Sequence, residues 1–306
     1  MSNPFTPFDL RASDGATLAA YRADPHGPAR GVVQIAHGLA EHCGRYGRLA
    51  RALNAAGYAV YCADHRGHGA SIGVHGQGEF GPRGFQAVVD DMAALTAVAK
   101  REHPGLPFVL LAHSLGSFAA QIYLLEHHAG LDALVLSGTA ALDKLLEAML
   151  ANGGPMGLEA FNGAFEPART TFDWLSRDEA EVDAYITDPL CGFAAPDHTM
   201  ASMFQLGAGA RHDPRLKAVR RDLPVLVISG EFDPVVGPGQ SFARALIAAY
   251  EDAGLTDIIH KVYPGGRHEM FNEICREQVE GDLIAWLDGA LKSDRAERTL
   301  TAPEER

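Results

Sequence analysis

The residues best placed to do chemistry begin with Ser114. The apolar run Phe108-Val-Leu-Leu stops at Ala112-His-Ser-Leu-Gly116, where a hydroxyl is flanked two residues away on each side by a small side chain. A strand that turns sharply into a helix needs small residues there, so that the two backbones approach closely while the serine is held in a strained conformation. Ala112 stands where the motif G-x-S-x-G has its first glycine and adds one methyl group to that crossing. Taken alone, the five residues read equally as a buried strand ending in a serine cap. A serine hydroxyl becomes an effective nucleophile beside a neutral histidine that takes its proton and a carboxylate that orients that histidine. Asp233, in Gly230-Glu-Phe-Asp-Pro, and His268, in Pro264-Gly-Gly-Arg-His-Glu, each fall just after an apolar run that reads as a strand. Asp233 before Pro234 also suits a turn, Glu231 lies two positions away, and His260 is a rival base inside a strand pattern. Acyl transfer further requires two N–H donors for an oxyanion, for which the backbone amides of Leu115 and of Leu39, in His37-Gly-Leu-Ala-Glu-His42, are the candidates. His37 with His42, His65 with His68, and His268-Glu269 all miss the H-E-x-x-H arrangement, so no metal and no cofactor are expected.

The elements that must position these residues follow from hydrophobic patterning. Phe8 to Asp24 alternates around Asp14-Gly15 and predicts an antiparallel edge hairpin. Strands are then expected at Gly31–His37, Tyr58–Asp64, Phe108–Leu111, Asp132–Gly138, Pro224–Gly230 and Asp257–Tyr263. Helical spacing fills Tyr46 to Gly57, Phe85 to His103, the stretch opening at Ser117, and Asn272 to Leu291, the last with Ile274, Leu283, Trp286, Leu287 and Leu291 as its buried face. Strands that are continuous apolar runs alternating with helices make a parallel sheet covered on both faces, a doubly wound α/β fold. The chain order Ser114, Asp233, His268 is that of the α/β-hydrolase fold. Residues 139 to 223 exceed what one crossover helix needs. Their Gly, Pro, Met and Phe content, with short helical pieces such as Ser176 to Ile186, predicts a mobile helical cap over the carboxyl edge of the sheet, the alternative being an extra layer packed on the core. The expected division is a core of residues 1–138, a cap of 139–206, a second core part of 207–291, and a charged, disordered tail of 292–306.

Composition bounds the rest. The chain has 306 residues, 47% hydrophobic, with a formal net charge of −13, which leaves no basic footprint for nucleic acid. The N-terminus has neither the charge nor the apolar run of a secretory signal, no segment is long and apolar enough to span a bilayer, and a cytoplasmic location is expected. Cys43, Cys62, Cys191 and Cys275 are scattered without C-x-x-C spacing and read as reduced, mostly buried thiols.

Five stretches together resemble the monoacylglycerol lipase and lysophospholipase branch of the α/β-hydrolases: His37-Gly-Leu-Ala-Glu-His42 with Gly44-Arg-Tyr46, Asp64-His-Arg-Gly-His-Gly69, Ala112-His-Ser-Leu-Gly116, Gly230-Glu-Phe-Asp233 and Gly265-Gly-Arg-His268. They span nearly the whole catalytic domain in order. The resemblance implies a serine carboxylesterase acting on a small-molecule, single-chain acyl ester without a cofactor, and a cap that forms the acyl channel and leaves room for transient contact with a membrane or lipid surface. Thr171-Phe-Asp-Trp-Leu-Ser-Arg-Asp178 and Asp188-Pro-Leu-Cys-Gly192 look like cap segments of bacterial members. An aminopeptidase, a thioesterase, a C–C hydrolase or a non-catalytic ligand-binding relative are the alternatives on the same fold. The serine at position 114 excludes the epoxide hydrolases and haloalkane dehalogenases of this fold, which need aspartate there.

Overall fold

The computed structural model describes residues 3–73, 76–154 and 157–301, with side chains as far as Leu291. Its strands are β1 (Thr6–Arg11), β2 (Thr17–Ala23), β3 (Gly31–Ala36), β4 (Tyr58–Ala63), β5 (Phe108–His113), β6 (Ala133–Ser137), β7 (Val225–Gly230) and β8 (Ile258–Tyr263). They form one sheet in the order β1-β2-β4-β3-β5-β6-β7-β8. The β1–β2 hairpin and its junction with β4 are antiparallel, and every pair from β4 to β8 is parallel. The helices are α1 (Gly47–Ala55), α2 (Phe85–Glu102), α3 (Leu115–His127), α4 (Leu142–Ala151), α5 (Glu179–Thr187), α6 (Asp197–Gly207), α7 (Ser241–Ala253) and α8 (Arg276–Thr301).

The strands are apolar at successive positions because each face of the sheet is covered. Along β5, Phe108 and Leu110 join the core beneath α2, α3 and α7, while Val109 and Leu111 join the core beneath α1 and α8. Period-two geometry thus sends neighbouring residues into two separate apolar clusters. The insertion between β6 and β7 runs through α4, a 3-10 run Leu158–Phe165, α5 and α6. Its Trp174, Leu175, Tyr185, Met203 and Phe204 are buried in the same cluster as α2 and α3.

Three expectations need correction or placing. Cys43 and Cys62 form a disulfide rather than free thiols, whereas Cys191 and Cys275 remain unpaired. Cys43 opens the turn after β3, and Cys62 lies on the neighbouring β4 opposite Ile35, so parallel pairing brings the two Cα atoms to 6.0 Å. No spacing motif announces a contact made by strand pairing, and the expectation of reduced thiols does not hold for this pair. Ile274 is 60% exposed because α8 starts only at Arg276, and Val279 takes the buried place ahead of Leu283 and Leu287. The backbone of α8 continues to Thr301, while the side chains from residue 292 and all of residues 302–306, the expected disordered tail, lie outside the described residues. Among the described residues no helix is long and apolar enough to cross a membrane.

Candidate active site

Ser114 sits between the end of β5 and the first residue of α3 with φ 49° and ψ −119°, a left-handed conformation that is strained for a side-chain-bearing residue. Its N–H donates to the Ser137 carbonyl at 2.9 Å, and the Gly116 N–H donates to the His37 carbonyl at 3.1 Å. The turn is thereby fixed to both neighbouring strand ends. A Cβ on Gly116 would lie 2.3 Å from the Ala36 carbonyl oxygen, so this glycine is required by close approach of backbone. Ala112, paired with Ala36 in the sheet and fully buried, is accommodated. Gly116→Ala is therefore expected to destabilise the fold by about 1–3 kcal/mol, as overpacking does. Ala112→Gly, which restores the usual motif, should cost no more than about 1 kcal/mol. Thermal midpoints of the two variants check this asymmetry; equal shifts would refute it.

The loops after β7 and β8 bring Asp233 and His268 together. His268 Nδ1 lies 2.9 Å from both carboxylate oxygens of Asp233, and both residues are almost wholly buried. Asp233 Oδ1 also accepts the Val235 N–H at 2.9 Å, which holds the carboxylate in place. Burial pushes the His268 imidazole down, but the Asp233 carboxylate outweighs it and holds the pKa above the ordinary value. The ring packs 4.7 Å from His113 and 4.9 Å from Trp174. Gly138, at φ +58° after β6, lets it do so, because a Cβ there would stand 2.7 Å from His268 Cε1. The His268 N–H donates to the Trp174 carbonyl at 3.2 Å and the Glu269 N–H to the Leu175 carbonyl at 2.8 Å. A stretch of the insertion is thus strapped along the histidine loop. The rival His260 lies on β8, its Nε2 3.1 Å from Ser229 Oγ and away from this group.

Leu39, Leu115 and Ser114 line one cavity of about 370 Å³. Neither the Leu39 nor the Leu115 N–H has an acceptor among the described residues. The cavity walls are mostly apolar, with Phe118 from α3, Met149 from α4, Phe161, and Met203 and Phe204 from α6; Glu159 and Asp197 are its charged members. Leu39, Ser114 and Leu115 thus share one cavity, and the Asp233–His268 pair adjoins it through Trp174, which lines the cavity and packs against the His268 ring.

Sequence reasoning missed the groups beneath it. His37 is neutral by geometry, since the His65 N–H donates to its Nε2 at 2.9 Å and its Nδ1–H donates to the Gly38 carbonyl at 2.8 Å. Burial lowers its pKa well below the ordinary value, and lowers those of His65 to about 3 and of His68 and His113 to about 4. Two groupings, His37 with Cys43 and Asp64, and His42 with Asp188 and Cys191, have donor atoms close enough to suggest a metal. In the first, Cys43 is in the disulfide and both His37 nitrogens are occupied. In the second, His42 accepts from the Gly44 N–H and lies 3.0 Å from Asp188, while burial pushes the Cys191 thiol up, away from the thiolate a metal would bind.

Comparison with known proteins agrees with this fold. A family model described as "Serine aminopeptidase, S33" matches residues 27–274. The monoacylglycerol lipase of Mycolicibacterium smegmatis is 35% identical over 267 residues, covering 86% of this chain and 90% of that protein. The human monoglyceride lipase is 29% identical over 300 residues, covering 95% and 90% respectively. Among solved structures, a thermostable carboxyl esterase from Bacillus coagulans in complex with glycerol superposes with a TM-score of 0.80 at 28% identity, covering 95% of this chain and 100% of the other. The monoacylglycerol lipase of Paleococcus ferrophilus gives 0.66 at 27% identity, covering 89% and 99%. With the match extending over most of its length, the chain belongs to the serine aminopeptidase S33 family of α/β-hydrolases, in the company of monoacylglycerol lipases.

Proposed function

We propose that this chain hydrolyses carboxylic esters of single-chain acyl groups, with monoacylglycerols or lysophospholipids as the substrate class. The observation that carries this reading is the apolar cavity that ends at Ser114 and at the two unpaired N–H groups of Leu39 and Leu115. In the proposed mechanism Ser114 Oγ attacks the ester carbonyl while His268 Nε2 takes its proton. Asp233 fixes the proton on His268 Nδ1 and stabilises the imidazolium, and the amides of Leu39 and Leu115 receive the charge that develops on the carbonyl oxygen. The imidazolium returns its proton to the leaving alcohol, and a water activated by the same histidine hydrolyses the acyl-enzyme. Residues 139–206 act as a cap whose apolar side chains hold the acyl chain. Leu150, 58% exposed and next to the cavity residue Met149, offers an apolar contact for a lipid surface.

An aminopeptidase is the second reading, favoured by Glu159 and Asp197 in the cavity wall, since a carboxylate there could hold a substrate α-amine. Labelling Ser114 with a fluorophosphonate in competition with monoacylglycerols, lysophospholipids, short esters and aminoacyl amides separates the two. Protection by the lipids supports the ester reading, and protection by the amides alone would overturn it. Narrowing the cavity should act on chain length. Met203→Trp is expected to lower kcat/KM for a long-chain monoacylglycerol at least about tenfold more than for a butyrate ester, given that one methylene of misfit costs about 1–3 kcal/mol. Equal losses on both would leave the cavity without a role in specificity.

The raised pKa of His268 sets the pH dependence, because the base works only when neutral. The acid limb of kcat/KM should have its midpoint above about 6.5, the value of an unperturbed imidazole. A midpoint below that value would mean that Asp233 does not govern the titration.

A further inference from the structure

We propose that Arg45 is a positioning residue for the reaction, holding the oxyanion loop and the histidine loop in one register through a buried Glu41–Arg45–Glu269 bridge. The proposal rests on the assignment of Ser114, His268 and the Leu39 amide made above. Arg45 Nη1 and Nη2 meet the two carboxylate oxygens of Glu269 at 2.5 and 2.6 Å, and Nη1 also meets Glu41 Oε2 at 2.8 Å. The other oxygen of Glu41 accepts the Gly38 N–H at 2.5 Å and the Tyr46 hydroxyl at 2.7 Å. One carboxylate therefore grips the residue preceding Leu39, and the other belongs to the residue following His268. The guanidinium joins them, and its exposed side is covered by the ring of Tyr185 on α5, 4.8 Å away.

A role in fold stability alone explains this arrangement poorly. A buried ionic group is often no more stabilising than an apolar one of the same shape, because desolvation offsets the attraction. What the bridge supplies is geometry and charge. A bidentate guanidinium fixes both partners in plane, which a monodentate cation does not. Two carboxylates and one guanidinium also carry one net negative charge, and His268 becomes positive as the serine proton moves to it. The groups facing His268 are Asp233, Glu269, Glu41 and His113. Without Arg45 a second uncompensated carboxylate would stand beside the oxyanion loop, where it would oppose the charge developing on the substrate.

The test compares Arg45→Met, Arg45→Lys and the isosteric Glu269→Gln with the parent, each corrected for the fraction that titrates with a fluorophosphonate. Arg45→Met is expected to lower kcat by roughly 10²-fold, the scale of losing one oxyanion donor, with KM within about threefold of the parent. Affinity for a boronic acid analogue of the tetrahedral intermediate should fall in step with kcat/KM. Arg45→Lys should recover part of the loss, and added guanidinium ion should rescue Arg45→Gly. Glu269→Gln, which keeps the packing if Arg45→Met fails to fold, should lower kcat and move the acid limb of kcat/KM to lower pH, since it removes a negative charge facing His268. Parent-like kcat, analogue affinity and acid limb in the folded variants would overturn the proposal, as would a loss confined to KM. A parent that does not label at Ser114 overturns the underlying assignment and the proposal with it, whereas parent labelling beside unaffected variants overturns the proposal alone.

Discussion

Ser114→Ala is expected to lower kcat for ester hydrolysis by about 10⁵ to 10⁶-fold while leaving a folded protein that still binds substrate. The magnitude follows from the non-additive character of a nucleophile, base and orienting carboxylate. Once the attacking atom is gone, His268 and Asp233 have nothing to activate. His268→Ala should therefore cost about as much as Ser114→Ala, and the double variant hardly more. Asp233→Asn should be milder by about 10 to 100-fold, since the imidazole remains and only its tautomer and orientation are lost. The fold should survive because the Ser114 side chain is in no hydrogen bond among the described residues, and its backbone N–H bond to Ser137 does not depend on the hydroxyl. Steady-state rates on a monoacylglycerol, with circular dichroism of each variant, check the series. Turnover by Ser114→Ala within tenfold of the parent would remove Ser114 from the mechanism.

The second large effect is on stability in acid. His37, His65, His68 and His113 are buried and neutral, with pKa values below that of a free imidazole, chiefly because burial disfavours the charged ring. His68 Nε2, between Phe80 and Phe193, has no hydrogen-bond partner among the described residues. In the unfolded chain these groups titrate near 6.5, so as pH falls the unfolded state takes up protons first. Stability that is complete above about pH 6.5 is then lost at about 1.4 kcal/mol per unit for each histidine. At about pH 5 this amounts to about 2 kcal/mol each for His65, His68 and His113 and about 6 for the three, with His37 acting in the same direction. Asp91, pushed up to about 6 by burial, works the other way and returns about 1.4 kcal/mol at that pH. His268, whose folded pKa is raised, works against the loss as pH falls towards about 6.5 and adds nothing to the slope below that. The net loss of roughly 4 to 5 kcal/mol from the groups with resolved values compares with a total stability of about 5 to 15 kcal/mol for a domain. Guanidinium unfolding at about pH 7.5 and pH 5 should show the midpoint collapsing, and an unchanged midpoint would refute the buried-neutral assignment.

What the sequence reveals here depends on range. The parallel strands are readable because burial on both faces makes each a continuous apolar run, as Phe108 to Leu111 shows. The candidate site is readable because Ser114, Asp233, His268 and the Leu39 loop each follow such a run, and one fold puts those strand ends side by side. The Cys43–Cys62 pair, the Glu41–Arg45–Glu269 bridge and the mutual packing of the His37, His65 and His68 rings were not readable. Each depends on a contact between distant segments, such as Arg45 with Glu269, that no short-range spacing announces, and a buried arginine or neutral histidine looks the same in sequence as an exposed one. Ile274 shows the reverse limit, since an apolar residue just ahead of a helix fits its periodicity without sharing its burial.

The strap of Trp174 and Leu175 along residues 268 and 269 bears on how such a chain diversifies. Because the histidine loop takes two backbone acceptors from the insertion, that segment is not a detachable module. Excising it whole would leave the His268 and Glu269 amides without those partners, whatever happened to the substrate. The 3-10 run Leu158–Phe165 is tied to the strap through Asn162, whose Oδ1 accepts the Trp174 N–H at 3.0 Å, so drift is least constrained in α6, whose side chains also shape the cavity. Substitutions there change the cavity wall while the His268 loop keeps its two backbone acceptors, so the shape of the cavity and the placement of the histidine rest on different stretches of the same insertion.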